Sequence, residues 1–444
     1  MKKLYSIVFI ALCLAMCAVL SVGYGVKGPS AACANEVPAP KPVLMDGGKL
    51  NDSYLSQLAD YYSGRFFLRR ELITAYAGGQ TGLFGTYISD DVVSGKKGWL
   101  YYKSTLGDYR NDEGMTEREL YAAANNLALM QEYCESQGAD FVFMAAPNKN
   151  TIYPQNMPFA GTPAGTHDLD RLYALLDGMG VRTVDIAARF REESEVLYYA
   201  HDSHWTGRGA ALGADLINEA FGRESDYFSG DFTRSQSHTG DLYEMLYPAG
   251  SDTELDFTYG DGLNFDYAKN SGTRPDSITI RTSGSGEGSL AAYRDSFGNS
   301  LYPYLADSFG KAYFSRSAVY DLTVIAGEEA DAVLIELVER NLPYLVQNVP
   351  VFPAPVRENA FPGLEGTIEI SVSDGSKAME GYVLVTGKAE ADAESPVYLV
   401  ADGCAYQCTL TENDGFAAYV PADAAISGVA YAVDGSYVVN AVIG

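Results

Sequence analysis

Hydrophobic residues follow three different patterns along the chain. The run from Leu4 to Val26 carries no charged residue, and a bilayer is crossed by roughly 20 apolar residues. Between residues 50 and 345, apolar residues at helical spacing alternate with short apolar runs that are typical of buried strands. After Gly366 short strands with alternating polarity replace the helical pattern. The sequence therefore predicts a membrane anchor, an α/β domain and a small all-β domain.

The α/β part contains clear helix starts and strand runs. Thr116 and Glu119 form a capping box that predicts a helix to about Ser136. Further helices are predicted over residues 168–176, 206–220 and 300–309. Strands are predicted over residues 99–102, 141–145, 181–186, 290–293, 312–315 and 332–337. Helices that alternate with short apolar strands predict a three-layer fold with a mostly parallel sheet.

These patterns divide the chain into five parts. The tether and the linker are rich in proline, with Pro38, Pro40 and Pro42 in the first. The absence of a helix signal after Gly366 predicts an all-β sandwich as the last part. The predicted parts are an anchor or signal peptide at 1–34, a tether at 35–48, the α/β domain at 49–349, a linker at 350–365 and the all-β domain at 366–444.

The N-terminus indicates an exported protein. Lys2 and Lys3 precede the apolar run, and positive residues on this side keep it in the cytoplasm. The run is longer than the apolar part of a signal peptide, which favours an uncleaved anchor with the bulk of the chain outside. Small residues before Asn35 also permit cleavage there, which would release a secreted protein.

Composition excludes some classes of partner. The chain has 31 Lys and Arg against 58 Asp and Glu, a net charge of −27, so we expect no nucleic acid partner and no general attraction to anionic lipid. Among the six cysteines, Cys404 and Cys408 are close enough to form a disulfide in an oxidising compartment. Two free thiols explain the same spacing.

The segment from His201 to Thr206 is the first candidate for chemistry, because the chain has only four histidines. Thr206 is predicted to cap a helix, which places Asp202 and His204 on the turn before it. Two residues apart in an extended segment, they point to the same side. An imidazole oriented by a carboxylate is suited to act as a general base.

Ser296 is the candidate nucleophile for this base. It follows a predicted strand, and Gly298 permits a tight turn before the next helix. A serine at such a turn is exposed at the carboxyl edge of the sheet, where N–H groups of the helix start can hold an oxyanion. Ser296 or Asp295 as a plain helix cap explains the same pattern.

Several segments together resemble one family, the DHHW and alginate O-acetyltransferase-like (AlgX/AlgJ-type) proteins of the SGNH-hydrolase-like group. They occur in the family's order between about residues 50 and 345, and the combination is more specific than any one segment. The central departure is Ser203, where the D-H-H-W form of the motif has histidine. The matching segments are Gly98-Trp99-Leu100, Pro147-Asn148-Lys149 with Tyr153-Pro154, Asp202-Ser203-His204-Trp205-Thr206 with Gly209-Ala210, Gly240-Asp241-Leu242, and Arg294-Asp295-Ser296-Phe297-Gly298-Asn299.

The resemblance implies a flavodoxin-like SGNH fold with a permuted triad. Ser296 would be the nucleophile, His204 the base and Asp202 the residue that orients it. Such proteins move acetyl groups onto extracellular polysaccharide, often with a membrane-bound acyltransferase of the MBOAT type as the donor. No cofactor is implied.

Other residues carry weaker expectations. His201, Asp202 and His204 would also suit a zinc site, but no further His or Cys cluster completes it, so we predict no metal. Glu336, Glu339 and Arg340 are interpreted as a solvated end of an element. Trp205 is expected to pack under the helix start rather than to stack on a sugar. Candidate substrate or oxyanion residues are Asn148, Lys149, Arg316, Trp205 and Asn299, with a plain turn or a salt bridge as the alternative for the first three.

Three functions are therefore compatible with the sequence. The first is an exported O-acetyltransferase that acts on extracellular or cell-wall polysaccharide through an acetyl-serine intermediate. A carbohydrate esterase would use the same triad with water as the acceptor. A non-catalytic envelope protein that binds glycan is the third.

Overall fold

The N-terminal region begins with a long apolar helix. The structure, a computed structural model, describes residues 2–33, 36–85, 89–110, 112, 114–158, 166–260, 262–358 and 360–443. Residues 4–27 are long and apolar enough to cross a membrane, a test that a signal sequence also passes, and none of this stretch is buried. The predicted cleavage point before Asn35 lies outside the described residues. The elements of this region are α1 (Lys2–Lys27), β1 (Met45–Asp46), β2 (Lys49–Leu50), α2 (Tyr54–Ser63) and α3 (Arg69–Phe84).

The central part contains the predicted alternation of helices and strands. Thr116 and Glu119 form the predicted capping box, and Thr206 caps the helix that follows it. The helices are α4 (Leu106–Arg110), α5 (Glu117–Ser136), α6 (Lys149–Ile152), α7 (Asp168–Met179), α8 (Ile186–Glu192), α9 (Gly207–Ala220), α10 (Asp241–Leu246), α11 (Gly298–Ser308), α12 (Val324–Glu328) and α13 (Tyr344–Gln347). The strands are β3 (Val92–Ser94), β4 (Leu100–Tyr102), β5 (Asp140–Ala146), β6 (Thr183–Val184), β7 (Phe232–His238), β8 (Glu254–Tyr259), β9 (Phe265–Tyr267), β10 (Thr279–Gly284), β11 (Ser289–Tyr293), β12 (Lys311–Ser315) and β13 (Ala332–Val338).

Seven of these strands form the central sheet in the order β6-β5-β13-β11-β12-β10-β9. The first five run parallel, whereas β10 and β9 extend the sheet antiparallel. Every residue of β13 and β11 is buried, as expected for parallel strands covered on both faces. The predicted α/β fold with a mostly parallel sheet is therefore confirmed.

The C-terminal part is all-β, as predicted, and consists of one curled sheet. Its strand order is β14-β18-β17-β21-β22-β15-β16-β20-β19. The long strand β15 belongs to both halves, because it pairs with β22 through residues 364–369 and with β16 through residues 370–374. The strands are β14 (Val356–Glu358), β15 (Leu364–Asp374), β16 (Tyr382–Lys388), β17 (Val397–Ala401), β18 (Cys404–Gln407), β19 (Thr409–Thr411), β20 (Gly415–Pro421), β21 (Ile426–Val433) and β22 (Ser436–Ile443).

Some local predictions differ from the structure. The strand predicted over 181–186 shrinks to two residues, because Asp185 accepts a hydrogen bond from Ala188 N (3.0 Å) and starts α8. The hairpin β7–β8 lies between residues 220 and 290, where no element was predicted, because its first strand is largely exposed and lacks the apolar alternation of a strand. Cys404 and Cys408 are separate free thiols, so the suggested disulfide is absent.

Helix α5 joins the two large parts through buried asparagines. Asn126, 1% exposed, donates from Nδ2 to the carbonyls of Leu345 (2.9 Å) and Leu410 (2.8 Å). Its Oδ1 accepts from Leu410 N (2.8 Å). Asn125 Nδ2 donates to the Cys408 carbonyl (3.2 Å). The all-β part is thus fixed on the α/β part by polar groups removed from water.

Replacing Asn126 with Ala should destabilise the protein by about 2–4 kcal/mol, because each buried backbone group left without a partner costs about 1–3 kcal/mol. Urea unfolding of the two proteins measures the difference. Glu135→Ala, on the exposed side of the same helix, is the matched control and should change stability by less than about 0.5 kcal/mol. Equal stability of all three proteins would show that Asn126 does not hold the two parts together.

Candidate active site

The candidate nucleophile lies where β11 turns into α11. Phe297 N donates to Asp295 Oδ1 (2.8 Å), and Asn299 N donates to the Ser296 carbonyl (3.1 Å), which starts the helix. A Cβ on Gly298 would lie 2.6 Å from Arg294 Cβ and 2.9 Å from Glu336 Oε2, so no side chain fits there. The turn holds Ser296 at the carboxyl edge of the parallel sheet, where α/β proteins place their sites.

Asp295 fixes this turn to the neighbouring strand. Its Oδ2 accepts from Val338 N (2.7 Å) and Asn341 Nδ2 (3.0 Å) at the end of β13. Asp295 N donates to Glu336 Oε2 (3.1 Å). The turn therefore cannot shift without breaking hydrogen bonds to β13.

The structure brings Ser296, His204 and Asp202 together. His204 Nε2 lies 2.9 Å from Ser296 Oγ, and His204 Nδ1 lies 2.7 Å from Asp202 Oδ1. Because a carboxylate oxygen only accepts, Nδ1 carries the proton and Nε2 is free to accept the serine hydroxyl. This is the hydrogen-bond order of a Ser–His–Asp triad.

His238 is a second imidazole on the same carboxylate. Its Nε2 donates to Asp202 Oδ2 (2.8 Å), and its ring stacks on Tyr199 with centroids 3.7 Å apart. No role was predicted for His238, although the chain has only four histidines. It lies at the end of the unpredicted strand β7.

Asp241 is the other residue without a predicted role. Asp241 N donates to Asp202 Oδ2 (3.1 Å), and its side chain accepts from Ser203 N (2.7 Å) and Ser203 Oγ (2.6 Å). The resemblance of Gly240-Asp241-Leu242 to the family pattern was the feature of the sequence that could have pointed to Asp241. Ser203, which replaces the second histidine of D-H-H-W, thus holds Asp241 beside the triad.

The electrostatics of the group favour a charged Asp202. Burial by itself raises the pKa of Asp202, but hydrogen bonds from His204 and His238 outweigh it and hold this pKa well below its usual range. Burial lowers the pKa of His204, yet the hydrogen bond and charge of Asp202 raise it above its usual value. Burial and the charge of Asp202 raise the pKa of Asp241.

The three ligands of the zinc alternative weighed from the sequence, His201, Asp202 and His204, do not converge in the structure. His201 Nδ1 lies 3.6 Å from Asp252 instead of converging on His204. Within the described part of the chain, Asp202, His204 and Asp241 offer ligand atoms within 4.8 Å of one another. All three are already engaged in the hydrogen bonds of the triad and of Ser203.

Lys149 and Asn148 are positioned differently from the sequence expectation. Lys149 Nζ is buried and donates to the carbonyls of Tyr199 (3.2 Å), Ala200 (3.0 Å) and Asp202 (2.6 Å). Burial lowers its pKa to about 8, against the charges of Asp202 and Asp241. Lys149 therefore positions the loop that carries Asp202 rather than facing substrate. Asn148 is 1% exposed, and its backbone N donates to Glu339 Oε2 (2.6 Å).

Two clefts meet at Ser296 and His204. The first, the aromatic cleft, has a volume of about 730 Å³, and its walls include Tyr199, Phe257, Tyr259 and Tyr304. Asn299 also lines it, with Oδ1 held by Arg294 Nη1 (2.7 Å). Trp205 lies at its base, 1% exposed, with Nε1 bonded to Ser300 Oγ (2.7 Å), so it packs under the helix as expected.

The second, the cationic cleft, has a volume of about 630 Å³ and includes Arg316, Arg340, Tyr102 and Tyr344. Neither arginine makes an ion pair with any residue that the structure describes. The salt bridge considered as an alternative role of Arg316 is therefore not formed with any described residue. Arg340 lies over the rings of Tyr102 and Phe297, 5.5 Å from each centroid.

The interpretation of residues 336–340 as a solvated end was wrong for its two acids. Glu336 and Glu339 are 1% and 2% exposed. Burial is the main cause that raises the pKa of each well above the usual range. Glu336 lies in the fully buried parallel strand β13, and Glu339 directly follows it. Charged residues at the end of a strand look the same in sequence whether that end is buried or exposed to solvent.

An α/β sheet with a hydrogen-bonded Ser–His–Asp group at its carboxyl edge defines the class of serine hydrolases and acyltransferases. Residues 92–259 match the family model of the SGNH hydrolase-like domain of acetyltransferase AlgX. This part of the chain is therefore similar to the SGNH hydrolase-like domain of AlgX, which confirms the resemblance inferred from the motifs. The match includes Asp202, His204, His238 and Asp241, and it ends before Ser296.

Comparison with solved structures gives distant similarities. A DHHW family protein from Eubacterium siraeum is 15% identical, with a TM-score of 0.44, over 58% of this chain and 93% of the other. Bacillus cereus PatB1 with a sulfonyl adduct is 17% identical, with a TM-score of 0.44, over 58% and 97%. Pseudomonas aeruginosa AlgX is 12% identical, with a TM-score of 0.38, over 79% and 90%. A comparison with curated proteins gave no match.

The raised pKa of His204 predicts the pH dependence of any ester turnover at Ser296. With neutral His204 as the proposed base, kcat/KM for a soluble acetyl ester should fall on the acid side with an apparent pKa above about 6.5. A pH profile of the wild type checks this, and an acid limb below pH 6 would contradict it.

Asp202→Asn should lower kcat for the same ester by about 10³–10⁴-fold, because the tautomer of His204 that Asp202 holds is lost. Comparison of kcat for the two proteins measures this loss.

His238→Phe should move that acid limb to higher pH. Phenylalanine keeps a ring on Tyr199 but removes the N–H donated to Asp202, so the carboxylate pairs more strongly with His204 and raises its pKa further. The measurement is the kcat/KM profile of His238→Phe beside that of the wild type. An unchanged or lowered limb would show that His238 does not act on the triad.

Proposed function

We propose that this protein is an exported, membrane-anchored O-acetyltransferase that acetylates hydroxyl groups of an extracellular or cell-wall polysaccharide. Ser296 Oγ attacks the carbonyl carbon of the acetyl donor, and its proton passes to His204 Nε2 and then to the leaving oxygen. A glycan hydroxyl then attacks acetyl-Ser296. It gives its proton to His204, which returns it to Ser296 Oγ.

The observation that carries this proposal is the meeting of two clefts at one Ser–His pair. Ser296 and His204 line both the aromatic cleft and the cationic cleft. A transferase must admit a donor and an acceptor to the same serine, whereas an esterase needs only one organic substrate and water. Two separate routes to Ser296 therefore favour transfer over hydrolysis.

Each cleft suits one of the two substrates. Half-buried aromatic side chains such as Phe257 and Tyr259 suit the apolar faces of sugar rings, so we assign the acceptor glycan to the aromatic cleft. The cationic cleft is assigned to the donor, where Arg316 and Arg340 can attract negative charge. Asn299, oriented by Arg294, is the candidate side-chain donor to the oxyanion, because Phe297 N is already bonded to Asp295.

The donor protein is proposed to be a membrane-bound acyltransferase of the MBOAT type, and the anchor is proposed to be α1. The lysines before the apolar stretch favour an outward-facing domain. An anchored domain would remain close to a donor in the same membrane, which raises the local concentration of the acetyl group.

Brief exposure of the full chain to an activated acetyl ester should add one acetyl group to the wild type and none to Ser296→Ala, as measured by intact mass. Ser136→Ala, an exposed serine at the end of α5 and outside both clefts, is the matched control and should be acetylated like the wild type. The adduct should decay faster with an added oligosaccharide acceptor than in buffer. Decay of the adduct at the same rate with and without the acceptor would indicate an esterase. The absence of both an adduct and ester turnover would indicate a binding protein.

A further inference from the structure

Helix α3 carries three large apolar residues on the side that faces away from the protein. Leu72, Tyr76 and Leu83 are 47%, 60% and 80% exposed. Their spacing of four and seven residues places them on one side of an α-helix with 3.6 residues per turn. We call these three residues the apolar stripe.

The opposite side of α3, which contacts the protein, carries the half-buried Ile73 and otherwise small and polar residues. Ala77 is fully buried, Thr74 Oγ1 accepts from Ala249 N (2.9 Å), and Thr81 Oγ1 lies 3.0 Å from Tyr247 OH. Arg70 donates to the Pro248 carbonyl. A surface helix in water normally turns its apolar side to the core. This inversion indicates that the outer side of α3 faces an apolar medium.

Helix α2 also exposes large apolar side chains, and it contacts the end of α1. Leu55 and Tyr62 of α2 are 77% and 46% exposed and lie seven residues apart on one side of the helix. The Tyr24 ring of α1 contacts that of Tyr62, with centroids 5.3 Å apart. Ser30 N also donates to the Arg65 carbonyl (3.0 Å). The helical pair is therefore attached to the end of the segment that is apolar enough to cross a membrane.

The charge of this region differs from that of the rest of the chain. Residues 54–84 hold Arg65, Arg69 and Arg70 against Asp60 and Glu71, whereas the whole chain has a net charge of −27. The strong acidity that opposes contact with anionic lipid is thus absent where the apolar side chains are exposed. Tyrosines such as Tyr62 and Tyr76 are also the residues that favour the boundary between lipid and water.

From these observations, we propose that α2 and α3 lie in the outer interfacial region of the lipid bilayer, with the apolar stripe inserted among the lipids. The inference extends the proposed function, because it assumes that α1 is retained as an anchor. Helix α3 contacts residues 247–249, which directly follow α10. Helix α10 begins with Asp241 beside the triad, and its Met245 lines the cationic cleft. Lipid contact would thereby hold the donor cleft close to the membrane surface.

The test is quenching of an introduced tryptophan by brominated lipid. The full chain is reconstituted into vesicles of phosphatidylcholine and phosphatidylglycerol, with or without dibrominated phosphatidylcholine. Leu83→Trp should lose about half or more of its added fluorescence, because interfacial side chains reach about 5–10 Å into the boundary of the acyl chains. Val372→Trp, at a position 56% exposed in the all-β part, is the matched control and should not be quenched. Trp99 and Trp205 contribute equally to both proteins.

Leu72→Trp, in the same stripe, provides a second probe if Leu83→Trp does not fold. Absence of quenching beyond the Val372→Trp control would overturn the proposal. Unquenched fluorescence that changes with the ratio of protein to lipid would assign the stripe to a second copy of the chain and would also overturn it.

Turnover of a soluble acetyl ester by the same vesicles reports on the triad separately. Quenching without turnover would leave the membrane contact in place and count against the proposed acetyltransferase. Turnover without quenching would remove the membrane contact alone.

Discussion

The buried carboxylate of Asp202 is the group on which the site depends. It is 4% exposed. It accepts hydrogen bonds from Nδ1 and the backbone N of His204, from His238 Nε2 and from Asp241 N. A buried charge is tolerated only when it is paired and hydrogen-bonded. The elements that bring these donors together, the loop before α9, the end of β7 and the start of α10, are therefore fixed relative to one another.

The proposed nucleophile, Ser296, is held by a separate set of restraints. Asp295 joins its turn to β13, and the missing side chain of Gly298 lets Arg294 and Glu336 pack against the helix start. The two halves meet at the hydrogen bond between His204 and Ser296, and the bond from Trp205 Nε1 to Ser300 Oγ joins them beside it. Because each half is rigid by itself, this contact is preorganised, which is the condition for efficient proton transfer.

The surroundings of the triad give it access from two directions. The same Ser–His pair lines an aromatic and a cationic cleft. Helix α3 contacts residues that directly follow α10, and Met245 of α10 lines the cationic cleft. Buried asparagines of α5 hold the all-β part on the α/β part. A fold of this kind can keep its chemistry fixed while the clefts and attached parts select substrates and location.

The sequence by itself determined the α/β and all-β parts, the capped helices and the residues Asp202, His204 and Ser296, because periodicity, caps and short motifs are local. Only the tertiary structure decided that His238 shares Asp202 and that Lys149 supports a loop. It also decided that Glu336 and Glu339 are buried and that Arg340 enters a cleft. These roles depend on contacts between residues far apart in the chain, such as the 36 positions between His238 and Asp202. Local patterns do not record which distant groups meet, because sheet order and loop packing decide that.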